Sequence, residues 1–196
     1  MALTNALQSL LNAECAKRHT HAVILRMQSG DMQLDFKGSA GAATPDMRFP
    51  IASIAKMFTS ALIMQLVDEG RIALDQKVQG LLSDVALSGL HVVKGADHTA
   101  ALTVRHLLHQ TSGLADYYES DLANDLKRGQ DRSYDLGDVL QMTRALQPQA
   151  APATGKSYYS DTNYQLLGAV IETVTGQTYD EVLQGRICEP LGLQNT

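Results

Sequence analysis

Only two cysteines, Cys15 and Cys188, occur in the 196 residues, and they lie far apart. That excludes a disulfide framework and points to buried thiols, without fixing a redox compartment. No run of Lys or Arg gathers on one face, and the net charge is a mild −5. A nucleic-acid or anionic-membrane partner is therefore not expected. No apolar stretch is long enough to span a bilayer, so no transmembrane segment is expected either. Met1 to Ala13 lack a basic segment, and polar Asn5, Gln8 and Ser9 interrupt their apolar residues, unlike a signal peptide. The expected location is the cytoplasm, or that of a mature exported form, periplasmic or secreted. Phosphate-cradling glycine motifs and Gly-x-Ser-x-Gly are missing; Gly38-Ser-Ala-Gly41 has the wrong spacing for the latter. His106 and His109 stand three apart, but no Cys, Asp or Glu joins them at ligand spacing. They read as surface or capping histidines, and no metal or other cofactor is expected.

What is present suits a globular chain. Apolar residues make up 44% and charged residues 19%, enough for a real core. Leu3, Leu7, Leu10 and Leu11 recur at helical spacing and predict an amphipathic helix over Leu3–Lys17. His21–Met27 and Met32–Phe36 flank Ser29-Gly-Asp31 and read as a hairpin, with Gly38, Gly41 and Pro45 marking a loop. An apolar helix is predicted over Ile54–Asp68 with Gly70 as its stop. The remainder reads as mainly helical. Thr103 caps a short helix through Leu108, and further helices cover Asp138–Leu146 and Tyr164–Thr175. A last one opens on the capping box Thr178-x-x-Glu181 and ends at Pro190. A lone hairpin is marginal in water, so further strands are expected after residue 196 or from a strand-completing partner chain or a homo-dimer.

The chemistry centres on Ser53-Ile-Ala-Lys56. Residues three apart share a helix face, which sets the Lys56 amine beside the Ser53 hydroxyl. A serine is a poor nucleophile until a neighbour takes its proton. A lysine can do so when burial or a nearby cation lowers its pKa, by something like ~3 units in strong cases. Taken alone, the tetrapeptide reads more readily as a helix start with one surface lysine. The second constellation is Tyr158-Tyr-Ser-Asp-Thr-Asn-Tyr164. A tyrosine there can relay a proton between serine, lysine and a leaving group; the plainer alternative is a polar turn capping a core helix.

Together these motifs resemble the serine β-lactamase and penicillin-binding-protein superfamily, most closely its class C and esterase branch. Gly70-Arg-Ile-Ala-Leu-Asp75, Leu102–Leu114 and Tyr159–Gly168 resemble further family segments in the expected order. The resemblance implies an α+β, β-lactamase/transpeptidase-like fold: an antiparallel sheet flanked by helices plus a helical lobe, here with only the first hairpin of the sheet. It implies one incomplete catalytic domain, with helix and hairpin in 1–50, the nucleophile helix in 51–70 and a mainly helical lobe in 71–196. Carried over by position, Ser53 becomes the acyl-forming nucleophile, Lys56 its base, Tyr159 the proton-relaying tyrosine, and Asp161 a substrate-binding or supporting residue. Thr111-Ser-Gly113 becomes a turn shaping the cleft wall. The implied substrate is an ester or amide, as for an esterase, a D-amino-acid peptidase or a β-lactamase.

Two departures matter. The family's third motif, Lys or His followed by Thr/Ser and Gly, has no counterpart; Val174-Thr-Gly176 reads as a helix stop. If one missing oxyanion donor costs roughly 3 kcal/mol, residues 1–196 alone are expected to be inactive. Asp161 stands where many relatives carry asparagine. An ionised carboxylate only accepts hydrogen bonds and favours a charged lysine nearby, which argues against β-lactam hydrolysis. The rival expectation is a non-catalytic relative that holds peptidoglycan or acyl ligands.

Overall fold

The computed structural model describes residues 2–31, 33–82, 87–130 and 132–195. They divide into two compact units, 1–50 and 51–194.

The first unit is a helix on a hairpin. Helix α1 (Ala2–Cys15) turns Leu7 and Leu11 onto Leu34 and Phe36 of the second strand. The strands β1 (Ala22–Ser29) and β2 (Leu34–Gly41) pair antiparallel, from Ala22 opposite Gly41 to Ser29 opposite Leu34. Met32, which opens the second predicted strand, lies outside the described residues. Strand β2 corrects the sequence reading, which placed a loop at Gly38 and Gly41. Leu34, Phe36 and Gly38 are buried in strand alternation, and α1 crosses close over the third. A Cβ on Gly38 would meet the Phe36 ring at 2.5 Å and the Gln8 side chain at 3.0 Å. The glycine thus marks a close approach rather than a break.

The second unit is a helical lobe around one core. Ala52–Ile54 form a single 3₁₀ turn ahead of α2 (Ala55–Asp68), so Ser53 stands just before the α-helix rather than on its first turn. A short ribbon, β3 (Val92–Val93) with β4 (Ala96–Asp97), was not legible as strand. Helices α3 (Val104–Leu108), α4 (Leu122–Lys127) and α5 (Leu136–Arg144) follow, then the long α6 (Asp161–Thr175) and α7 (Tyr179–Leu183). Leu62, Ile63 and Leu66 of α2 are fully buried, as are Leu166, Leu167, Val170 and Ile171 of α6. These spacings give each helix one apolar stripe, and the two stripes belong to one core cluster. No helix among the described residues is long and apolar enough to cross a membrane.

Of the helix ends that differ from the sequence reading, three have a plain physical cause. Helix α5 starts at Leu136 because Asp135 caps it, and Asp138 completes a reciprocal capping box. Helix α6 starts at Asp161, three residues before the expected Tyr164, since an acidic first turn suits the positive end of a helix. Pro190 does not end the last helix. A π turn over Gln184–Cys188 inserts an extra residue, and Pro190 sits near the start of the next turn, Glu189–Leu191, where its missing N–H costs little.

Gly113 carries a φ of +73°, and a Cβ there would fall 2.1 Å from the Ala150 carbonyl oxygen. Gly70 has a similar φ of +70° but open space around it. Gly113→Ala is expected to lower stability by more than about 2 kcal/mol, and Gly70→Ala by only about 1 kcal/mol. Urea unfolding midpoints check the pair, and equal losses would refute the packing argument.

Candidate active site

Ser53 reaches its position through backbone strain. Ala52, immediately before it, has a φ of +47°, a region L-residues enter rarely. The kink leads into the 3₁₀ turn and sets Ser53 one helical step from Lys56. The Lys56 Nζ donates to Ser53 Oγ at 3.1 Å, as the three-residue spacing predicts.

Tyr159 and Asp161 arrive from the mouth of α6. The Tyr159 hydroxyl lies 2.6 Å from Ser53 Oγ and donates to Asp161 Oδ1 at 3.0 Å. With its one proton engaged there, Tyr159 can only accept from serine, so the proton order runs Ser53 to Tyr159 to Asp161. Asp161 also forms a direct ion pair with Lys56. All four residues singled out from sequence thus meet in one cluster.

The electrostatics are those of a half-buried pair. Burial pulls the Lys56 amine toward the neutral form, but hydrogen bonds and charge from Asp161 and Tyr159 outweigh it and hold the pKa above its ordinary value. Burial also raises the Asp116 carboxyl, with the nearby Asp161 charge adding to it, and burial raises the Tyr117 phenol. The Lys56 side chain is 19% exposed and that of Asp161 26%, while Tyr159 is 55% exposed. The pair is sheltered and the tyrosine stands at the rim. An open cleft of about 820 Å³ lies over Ser53 and the Lys56–Asp161 pair. Its lining includes Ser53, Lys56, Tyr117, Tyr118, Leu136 and Tyr164.

Behind the cluster lies a polar scaffold that sequence reasoning missed. Gln110, at a φ of +58°, accepts from the Tyr158 backbone N–H at 2.8 Å and, through its side chain, from the Ser160 N–H at 2.9 Å. The same side-chain oxygen accepts from the Asn163 amide. Ser112 donates to Asn163 Oδ1 at 2.6 Å, and Ser160 and Thr162 both donate to the Ala115 carbonyl, at 3.0 and 2.9 Å. The 110–115 segment therefore holds the start of α6, and Thr111, Ser112 and Gly113, expected in the cleft wall, are not among the residues that line it. Asn163 carried the only sequence signal for this, an amide opening an apolar helix. His106 caps α3, its Nδ1 accepting from the Thr103 N–H at 3.3 Å. His109 is exposed. No group of three or more His, Cys, Asp or Glu among the described residues is placed to hold a metal ion.

Several known proteins resemble this chain in sequence and fold. Penicillin-binding protein 4 of Amycolatopsis lactamdurans is 34% identical over 160 residues, which are 82% of this chain and 38% of that protein. The D-stereospecific amidohydrolase from Streptomyces sp. superposes with a TM-score of 0.81 at 31% identity, covering 97% of this chain and 55% of its own. The D-amino acid amidase from Ochrobactrum anthropi SV3, in complex with L-phenylalanine amide, gives a TM-score of 0.79 at 27% identity, covering 99% of this chain and 52% of its own. The chain spans a little over a third of the length of its curated relative and about half of these two structures. Their likeness establishes the β-lactamase/transpeptidase-like fold. Residues 21–196 match the sequence model of the Beta-lactamase family, and the chain belongs to that family.

Proposed function

We propose that the protein carrying this chain is a serine hydrolase working through an acyl-enzyme, with Ser53 as nucleophile, Lys56 as its base and Tyr159 as the relay returning a proton to the leaving group. The observation that carries this reading is the Ser53 hydroxyl within hydrogen-bonding distance of both the Lys56 amine and the Tyr159 phenol. In the first step Ser53 Oγ would bond to a carbonyl carbon as its proton passes to a neutral Lys56. The leaving group would then depart with a proton delivered through Tyr159. Water would release the acyl group by the reverse order of transfers.

For the substrate, the names of the structural relatives support an amide of a D-amino acid, and the open cleft fits a small amide or ester. The Asp161 carboxylate weighs against a β-lactam, whose acylamino oxygen would meet an acceptor instead of a donor. Turnover is proposed to need more than residues 1–196, because a Lys/His-Thr/Ser-Gly motif and a second oxyanion donor are not among them.

A fluorophosphonate incubated with the full-length protein is expected to add one adduct on Ser53, seen by intact mass and peptide mapping. Ser53→Ala should abolish it. Equal labelling in both proteins would sink the assignment, and labelling of neither, with a penicillin still bound, would favour the non-catalytic binder. Residues 1–196 alone should hydrolyse a D-amino-acid amide at least about 100-fold more slowly than the full protein, the scale of a lost oxyanion donor.

A further inference from the structure

Lys56 is ringed by groups that favour its charged form. From α6, Asp161 pairs with Nζ directly and the Tyr164 ring centroid lies 5.5 Å away. From the segment entering α6, the Tyr159 ring centroid lies 4.9 Å away. Tyr117, in the turn Tyr117–Glu119, faces the Lys56–Asp161 pair, and the Asp116 carboxylate beside it accepts the Asp161 backbone N–H. From α7, the Tyr179 hydroxyl is engaged by Thr59 at 2.7 Å. On α2 itself the next ionisable residue is Asp68, about three turns away. The described groups facing Lys56 thus include carboxylates and phenols but no second cation. The amine donates to Ser53 Oγ and to the Asp161 carboxylate.

We propose that Asp161 is a positioning residue that pins the Lys56 amine as a hydrogen-donating ammonium and so sets the pH above which Ser53 can be activated. The proposal rests on the reading of Ser53 as nucleophile and Lys56 as base. An ammonium has no lone pair for the serine proton. Lys56 must first give a proton to water or hydroxide. The Ser53 proton then moves to neutral Nζ as Oγ bonds to the substrate carbonyl carbon and the C=O pair shifts to oxygen. On collapse the C–N bond breaks and the departing nitrogen takes that proton by way of Tyr159. Asparagine at 161 would keep the size and remove the charge, leaving burial as the main influence on Lys56, and burial favours the neutral amine.

The test is competitive acetylation with acetic anhydride across neutral to strongly alkaline pH. The Lys56 peptide is quantified by mass spectrometry against exposed Lys94 as internal reference. In Asp161→Asn, with an unchanged circular dichroism spectrum, half-maximal Lys56 labelling should fall by about one pH unit or more. Coincident curves would overturn the proposal. Asp161→Glu retains the charge and should stay near wild type, and a shift as large as that of the asparagine variant would also overturn it. Fluorophosphonate labelling of Ser53 over the same pH range separates the two readings. A shifted Lys56 curve without any Ser53 adduct supports the pinning of the amine by Asp161 and sinks the hydrolase, and with it the pH threshold for Ser53. A Ser53 adduct with unshifted Lys56 sinks the pinning alone.

Discussion

The side chain of Asn163 has no contact with solvent, so both of its polar ends must be answered inside the protein. Ser112 answers the oxygen and Gln110 the nitrogen. Because the Gln110 side-chain oxygen also takes the Ser160 N–H and its backbone carbonyl takes the Tyr158 N–H, a single residue fixes the approach to α6 at three points. Leaving a buried amide half-satisfied costs about 1–3 kcal/mol, a large share of a typical domain's net stability. The 110–113 loop and the mouth of α6 therefore form one unit, and Tyr159 and Asp161 of the candidate site are mounted on it.

The other half of the site is α2, and its alignment with α6 comes from two kinds of contact. Apolar stripes from both helices share the core, which sets their separation. Hydroxyl pairs then fix the register: Ser60 with Tyr164 of α6 at 3.1 Å, while Thr59 with Tyr179 at 2.7 Å ties α2 to α7, the helix that follows. Hydrophobic burial has no direction, while a hydroxyl pair tolerates little sliding. Ser53 meets Tyr159 across 106 positions of sequence because these contacts leave α2 little freedom to shift along α6.

Local rules exposed part of this and tertiary contacts hid the rest. Ser53 and Lys56 were legible because a three-residue spacing on a helix is a local fact. Tyr159 and Asp161 were legible through their motif, and the ion pair with Lys56 follows from the same chemistry that made Asp161 stand out. Gln110 was not legible, since its hub role depends on a left-handed backbone and on partners about 50 residues away. Gly38 misled because glycine ordinarily weakens a strand, and only the close crossing of α1 explains it. The early start of α6 was hidden because Asp, Thr and Asn favour turns and helix N-termini alike. Pro190 misled because the π turn that accommodates it has no local signature.

Ala52 carries a constraint of a different kind. Its left-handed backbone narrows the side chains that position can accept without strain. Branched side chains would pay the steepest steric penalty there, and proline cannot reach a positive φ at all. Glycine would relieve the strain, but it would equally let the turn relax into other shapes, loosening the serine that follows. Alanine is the compromise: small enough to endure the bend, yet with a Cβ that limits the alternatives. A single methyl group beside Ser53 thus limits the shapes open to the turn and holds it in an uncommon conformation.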